Sequence, residues 1–218
     1  MAEISYKMHP LPSVFLMELD IPTEFVEACN DYLDELVTQD DRVSAAHTLV
    51  GQIKTGEQLV MDHEDPRLVP FSKFLCEMSV TYINQFMAQS GQVLDGNRSV
   101  EMDELWSVHS YQGDYNPIHD HGTKTVMGVS CTTWTKVPPQ IAQGSRPGSQ
   151  EYGLYNSSGE SDGCLHFNYG ASSTWDRERL KPTQSVVARP IVGRLYLFPS
   201  WMQHMVYPFQ GEGERRTV

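Results

Sequence analysis

The chain has no apolar run near the roughly 20 residues needed to cross a bilayer, so no membrane helix is expected. Its first 22 residues, MAEISYKMHPLPSVFLMELDIP, lack a basic n-region and a long apolar core, and no signal peptide is read there. Cysteine is sparse: Cys29, Cys76, Cys131 and Cys164 are far apart and form no CxxC pair. That excludes the usual patterns for a zinc knuckle, a redox dithiol or a disulfide framework and predicts free thiols in a reducing, cytoplasmic setting. Basic residues are outnumbered, 16 against 28 acidic, for a formal charge of −12. Without a basic stripe the chain is a poor candidate for holding nucleic acid. What is present suits a globular protein: 39% hydrophobic and 20% charged residues over 218 positions, enough for a single domain. There are also eight histidines, and their placement carries most of the information.

The two parts of the chain read differently. Residues 10–20 look extended, and Pro22-Thr23-Glu24 opens a helix with Thr23 as the expected N-cap. Phe25, Val26, Cys29, Leu33 and Leu36 follow at three- and four-residue steps, which gives one apolar face. Residues 39–66 are polar, with a short strand expected at His47–Val50. A second helix is expected after Asp65-Pro66, carrying Phe71, Phe74, Leu75, Met78, Tyr82, Ile83, Phe86 and Met87 and stopping at Gly91.

After Gly91 short β-rich runs take over: 104–111, 125–136, 164–169, 185–189, 193–198, 203–207 and 214–218. Segments 139–163 and 170–184 between them are long polar loops of the kind that often carry binding residues. The reading is α+β: one domain over 1–218, with a helical support region over 1–91 and an antiparallel β-sandwich core over 92–218.

Within that core, Asn116-Pro-Ile-His119-Asp-His121-Gly122 stands out. Residues i and i+2 of a strand share a face, so His119 and His121 are expected to point together and Asp120 away. An exposed polar turn is the plainer reading of the same residues. Eighty residues on, the apolar strand of Gly193-Arg-Leu-Tyr-Leu-Phe-Pro-Ser-Trp runs into a turn and then His204. Glu214-Arg215-Arg216 follows, and a guanidinium is well suited to clamping a carboxylate.

Paired histidines, a distant histidine at a strand start and an arginine shortly after it resemble the Fe(II)- and 2-oxoglutarate-dependent dioxygenase superfamily. The sequence is most similar to a 2OG–Fe(II) oxygenase family of phage and marine bacterial proteins. The shared segments are N-P-x-H-x-H, G-R-L-x-x-F-P-S-W-x-x-H-x-V-x-P and a following E-R pair. Leu49-Val-Gly-Gln-Ile53 in the helical prefix is similar as well, so the resemblance covers most of the chain.

The resemblance implies a double-stranded β-helix, a jelly-roll or cupin-like antiparallel sandwich, with supporting N-terminal helices. It implies Fe(II) and 2-oxoglutarate as cofactors, dioxygen as cosubstrate, and hydroxylation of an unknown substrate with release of succinate. His119, His121 and His204 would be the metal ligands and the catalytic set. Arg215 would anchor the far carboxylate of 2-oxoglutarate, with Arg216 second because it should face the other way. A sheet hydroxyl would assist, from Tyr111, Thr125 or Ser130. The superfamily's usual carboxylate slot falls on His121, so either three histidines hold the metal or Asp120 swings in. The uncharged set also suits Zn(II).

Two rivals stay open. One is a β-helix or cupin-like protein that binds metal without catalysis; the other is a three-histidine enzyme that does not use 2-oxoglutarate. The remaining residues have plainer readings. His109 is expected as a hydrogen-bonded sheet histidine and His166 as structural or substrate-facing, while His9, His47 and His63 look unrelated. Trp106, Trp134, Trp175 and Trp201 are core or rim aromatics, with Trp201 a candidate wall of the site. Arg177, Arg179, Lys181 and Arg189 read as a solvated basic loop. The substrate class, small molecule or peptide, and the oligomeric state are not written in the sequence.

Overall fold

The computed structural model describes residues 14–91, 99–122, 127–142, 161–169 and 185–218. His9, Thr125, Trp175, Arg177, Arg179, Lys181 and most of both polar loops lie outside them. The chain begins with β1 (Met17–Asp20), α1 (Thr23–Leu36), β2 (Glu57–Val60) and α2 (Val69–Gln89). Then come β3 (Trp106–Ser110), β4 (Asn116–His119), β5 (Val129–Lys136) and the short α3 (Pro139–Ala142). The last five strands are β6 (Leu165–Asn168), β7 (Ser185–Ala188), β8 (Arg194–Pro199), β9 (Gln203–Val206) and β10 (Arg215–Thr217). No helix among the described residues is long and apolar enough to cross a membrane.

The strands form two antiparallel sheets, a larger one ordered β1-β8-β5-β10-β3-β2 and a smaller one ordered β4-β9-β6-β7. Strand β8 shows how the layers are made. Leu195 and Leu197 enter the core that the larger sheet shares with α1 and α2, beside Cys29, Leu33, Phe71 and Leu75. Tyr196 and Phe198, alternating with them, enter a second core between the sheets with Trp134, Leu165 and Phe167. A strand covered on both faces needs apolar side chains at every position, which explains the run from Leu195 to Phe198.

The sequence reading needs three adjustments. Thr23 is the first helical residue and Pro22 holds the cap position without a side-chain bond. Proline's fixed φ serves a helix start without any cap hydrogen bond. His47–Val50 forms no strand; the pairing segment is Glu57–Val60, which lies against Trp106–His109. The first 91 residues also supply both edge strands of the larger sheet, β1 and β2, as well as the helices. Close approach fixes Gly56, because a Cβ there would sit 1.6 Å from the His109 carbonyl oxygen.

Candidate metal centre

The smaller sheet brings the histidines together. His119 ends β4 and pairs directly with His204 at the start of β9, after an irregular register between Asn116 and His119. His121 lies beyond the strand, so alternation alone does not aim it. Its backbone N–H donates to the Ser200 carbonyl at 2.8 Å, which ties it to the end of β8. The candidate ligand atoms of His119, His121 and His204 all lie within 4.8 Å of one another. Asp120 between them is exposed and outside the cluster.

Each imidazole has its Nδ1 occupied. His119 Nδ1 is 2.7 Å from the Pro117 carbonyl and His204 Nδ1 is 2.9 Å from the Met202 carbonyl. A carbonyl only accepts, so both nitrogens carry the proton and both Nε2 atoms are free to ligate. His121 Nδ1 sits 2.8 Å from Ser130 Oγ, which is 2.9 Å from Ser200 Oγ. Trp106 meets His121 edge-on at 5.4 Å and Phe198 packs on His204 at 5.1 Å, which restricts both rings. Burial, with His119 beside it, brings the His121 imidazolium down to about 4; burial and the neighbouring histidines bring His204 down to about 3. Both rings are therefore neutral, the form a metal requires.

Arg215 is on the inner face of β10 and is 1% exposed. One terminal nitrogen donates to the Gly163 and Tyr207 carbonyls, at 3.1 and 2.9 Å, and the guanidinium lies 5.5 Å over Phe209. Its Nε is buried with no hydrogen-bond partner among the described residues, and no described carboxylate forms an ion pair with it. Burial brings its acidity to about 10, so it keeps its charge at neutral pH. Arg216, one residue on, faces out to Glu214, Asn30 and Asp34.

Ser130 adjoins the histidine cluster, whereas Tyr111 does not. Tyr111 is 36% exposed and follows the end of β3 opposite Trp106. His109 bonds Glu214 at 2.6 Å and Ser107 at 3.0 Å on the outer face. His166 stacks on Tyr207 at 6.0 Å, Trp134 is buried, and Trp201 is 54% exposed in the turn before His204. Beside His121 a cavity of about 820 Å³ runs past Trp106, Met127 and Ser200 towards Phe71 and Leu75 of α2.

One structural residue escaped the sequence reading. Buried Asp114 accepts the backbone N–H groups of Lys54, Thr55, Gly56 and Tyr111 at 2.8, 3.4, 3.1 and 3.0 Å. Asp-Tyr-Asn in a polar loop gave no sign of this, since three of its four partners are about sixty residues away.

Residues 104–218, just over half of the chain, match the family described as "Putative 2OG-Fe(II) oxygenase". The chain belongs to this family. No curated protein sequence matches it. Solved structures share the fold at low identity. A Pseudomonas putida prolyl-4-hydroxylase aligns with a TM-score of 0.54 at 14% identity, over 93% of this chain and 88% of that one. A Trichoplax adhaerens prolyl hydroxylase, solved with a hypoxia-inducible-factor peptide fragment, aligns at 0.54 and 13% identity over 93% and 80%. HygX from Streptomyces hygroscopicus, solved with nickel and 2-oxoglutarate, aligns at 0.51 and 12% over 93% and 80%.

Fe(II) and 2-oxoglutarate are the cofactors of the 2OG–Fe(II) oxygenases, and the residues present fit both. Three imidazoles offer the metal its donors, and a buried guanidinium with an unmatched N–H suits a carboxylate.

Proposed function

We propose that the chain is a 2-oxoglutarate-dependent dioxygenase whose metal ligands are His119, His121 and His204. The two sheets are read as the halves of a double-stranded β-helix carried by the helical prefix, with the site between them. Fe(II) and 2-oxoglutarate supply the activation of dioxygen, so that a substrate C–H becomes C–OH while 2-oxoglutarate yields succinate and carbon dioxide.

The observation that carries this reading is Arg215. A buried cation without a carboxylate is costly unless a ligand completes it. Its guanidinium contacts the Tyr207 carbonyl, three residues after His204, or about 10 Å of extended chain. That span is comparable with a metal-bound five-carbon dicarboxylate. Arg215 therefore holds the distal carboxylate, and the three imidazoles hold the metal that grips the other end. Ser130 is assigned to His121, because its hydroxyl lies 2.8 Å from His121 Nδ1 and 2.9 Å from Ser200 Oγ. Tyr111, exposed at the far end of β3, is left without a role towards the cosubstrate.

One observation favours a second reading, a three-histidine metal protein that does not use 2-oxoglutarate: no carboxylate among the described residues joins the ligand cluster. The two separate in one experiment. Under anaerobic conditions Fe(II) and 2-oxoglutarate together should give a visible metal-to-ligand charge-transfer band, and with oxygen should release succinate. His204→Ala should abolish both while His109→Ala retains both, and Asp120→Ala should retain metal. Bound metal with no band would select the second reading. Substrate screening includes peptides, because the Trichoplax neighbour holds one, alongside small molecules.

A further inference from the structure

The three candidate ligands differ in what fixes their tautomer. The partners of His119 and His204 are the Pro117 and Met202 carbonyls, which can only accept. Their Nδ1–H, Nε2-free forms are therefore dictated locally. The partner of His121 is the Ser130 hydroxyl, which can accept from Nδ1–H or donate to a bare Nδ1. If it donated, the proton of the neutral ring would move to Nε2 and the ligand lone pair would be lost. The next group along is Ser200, whose Oγ lies 2.9 Å from Ser130 Oγ and offers that hydroxyl an acceptor. A hydroxyl has one proton, and with that proton on Ser200 it can offer His121 only a lone pair.

Ser200 also holds His121 through the main chain, accepting its N–H at 2.8 Å and donating its own N–H to the Gly128 carbonyl at 3.0 Å. The same residue thus sets where His121 sits and which of its nitrogens is free. Trp106, edge-on at 5.4 Å, restricts the ring from the other side.

We infer that Ser130 and Ser200 are positioning residues that set the His121 tautomer by a directed chain, His121 Nδ1–H to Ser130 to Ser200, and so control metal affinity. The inference rests on the three-histidine reading of the site. It makes His121 the one ligand of the three that a change outside the ligand set can switch off.

The test uses the full chain in its metal-free form and Co(II) as the probe. Long-range proton–nitrogen correlation spectra should show His121 as the Nδ1–H form in the wild type. Ser200→Ala should shift population to the Nε2–H form, with His119 and His204 unchanged. Co(II) titrations followed by visible absorption should show about a 10- to 100-fold loss of affinity in Ser130→Ala, a smaller loss of about tenfold in Ser200→Ala, and recovery in Ser130→Thr. Unaltered thermal unfolding of the metal-free variants would separate this from a folding defect. Wild-type Co(II) affinity and the Nδ1–H form both persisting in Ser200→Ala would overturn the inference and leave the metal centre standing. No Co(II) binding by the wild type would overturn the centre itself, and the inference with it.

Discussion

Arg215 and Arg216 are consecutive in β10, and both are almost fully buried, at 1% and 3% exposure. On the outer face Arg216 meets Glu214 at 2.8 and 3.1 Å, Asn30 at 3.1 Å and Asp34 at 2.7 Å, a network shared with His109 and Lys136. On the inner face Arg215 has two carbonyls, an aromatic ring and an Nε with no partner among the described residues. Strand alternation alone separates them. The outer guanidinium is neutralised by its own chain and fixes α1 against the sheet. The inner one has no carboxylate partner among the described residues.

Exchanging each for methionine should give opposite results. Arg215→Met should raise the 2-oxoglutarate KM by about 30-fold or more, since losing one side of a buried charge pair costs about 2 kcal/mol upward. Its stability should stay within about 1 kcal/mol of wild type, because relief of a desolvated charge offsets two carbonyls left without a donor. Arg216→Met should lower stability by about 2–3 kcal/mol, roughly 5–10 °C in Tm, less than a fully buried pair because Asp34 is half-exposed. Its 2-oxoglutarate KM should move less than threefold. Equal effects of the two substitutions on cosubstrate affinity would erase the distinction.

This contrast was partly legible in the sequence. The family resemblance singled out Arg215, and strand alternation put Arg216 on the opposite face. Most strands after Gly91 were legible as β-rich runs because each carries inward-facing apolar residues between turn signals. β4 was not, since Asn116–His119 is short, polar and irregular in register. The histidine pair was found for a reason that holds only in part: His119 is in a strand, but His121 is beyond it and is aimed by Ser200. The partners of His121, Ser130 and Ser200, are 9 and 79 positions away in sequence. No local pattern marks a contact of that kind.

Asp114 is the acid that could have erased the contrast from inside. It is buried, and its charge favours the protonated Arg215, yet both its oxygens are taken by four backbone N–H groups. Asp114→Asn replaces an acceptor with a donor that faces other donors, in the loop where Gly56 is packed against β3. A loss of about 2 kcal/mol is expected, from hydrogen bonds to a charged group. Chemical denaturation measures that loss, and the 2-oxoglutarate KM should change less than in Arg215→Met. A KM change as large would mean that Asp114, rather than an external anion, is the partner of Arg215.

The smallest expected effect is a pH dependence confined to the outer face. Burial alone would raise the Glu214 carboxyl, but hydrogen bonds from His109 and Arg216, with the Arg216 charge, bring it down to about 2 from 4.5. A carboxyl with a depressed folded-state pKa binds fewer protons folded than unfolded between those values. Its contribution is therefore complete above about pH 4.5 and is lost as pH falls towards 2. Urea midpoints for wild type and Glu214→Gln should differ most at pH 6 and converge only as pH approaches 2. Arg215→Met should retain the wild-type acid slope, because no described carboxylate on the inner face forms an ion pair with that guanidinium. A flattened slope in Arg215→Met would show that the two arginines share one electrostatic network across the strand.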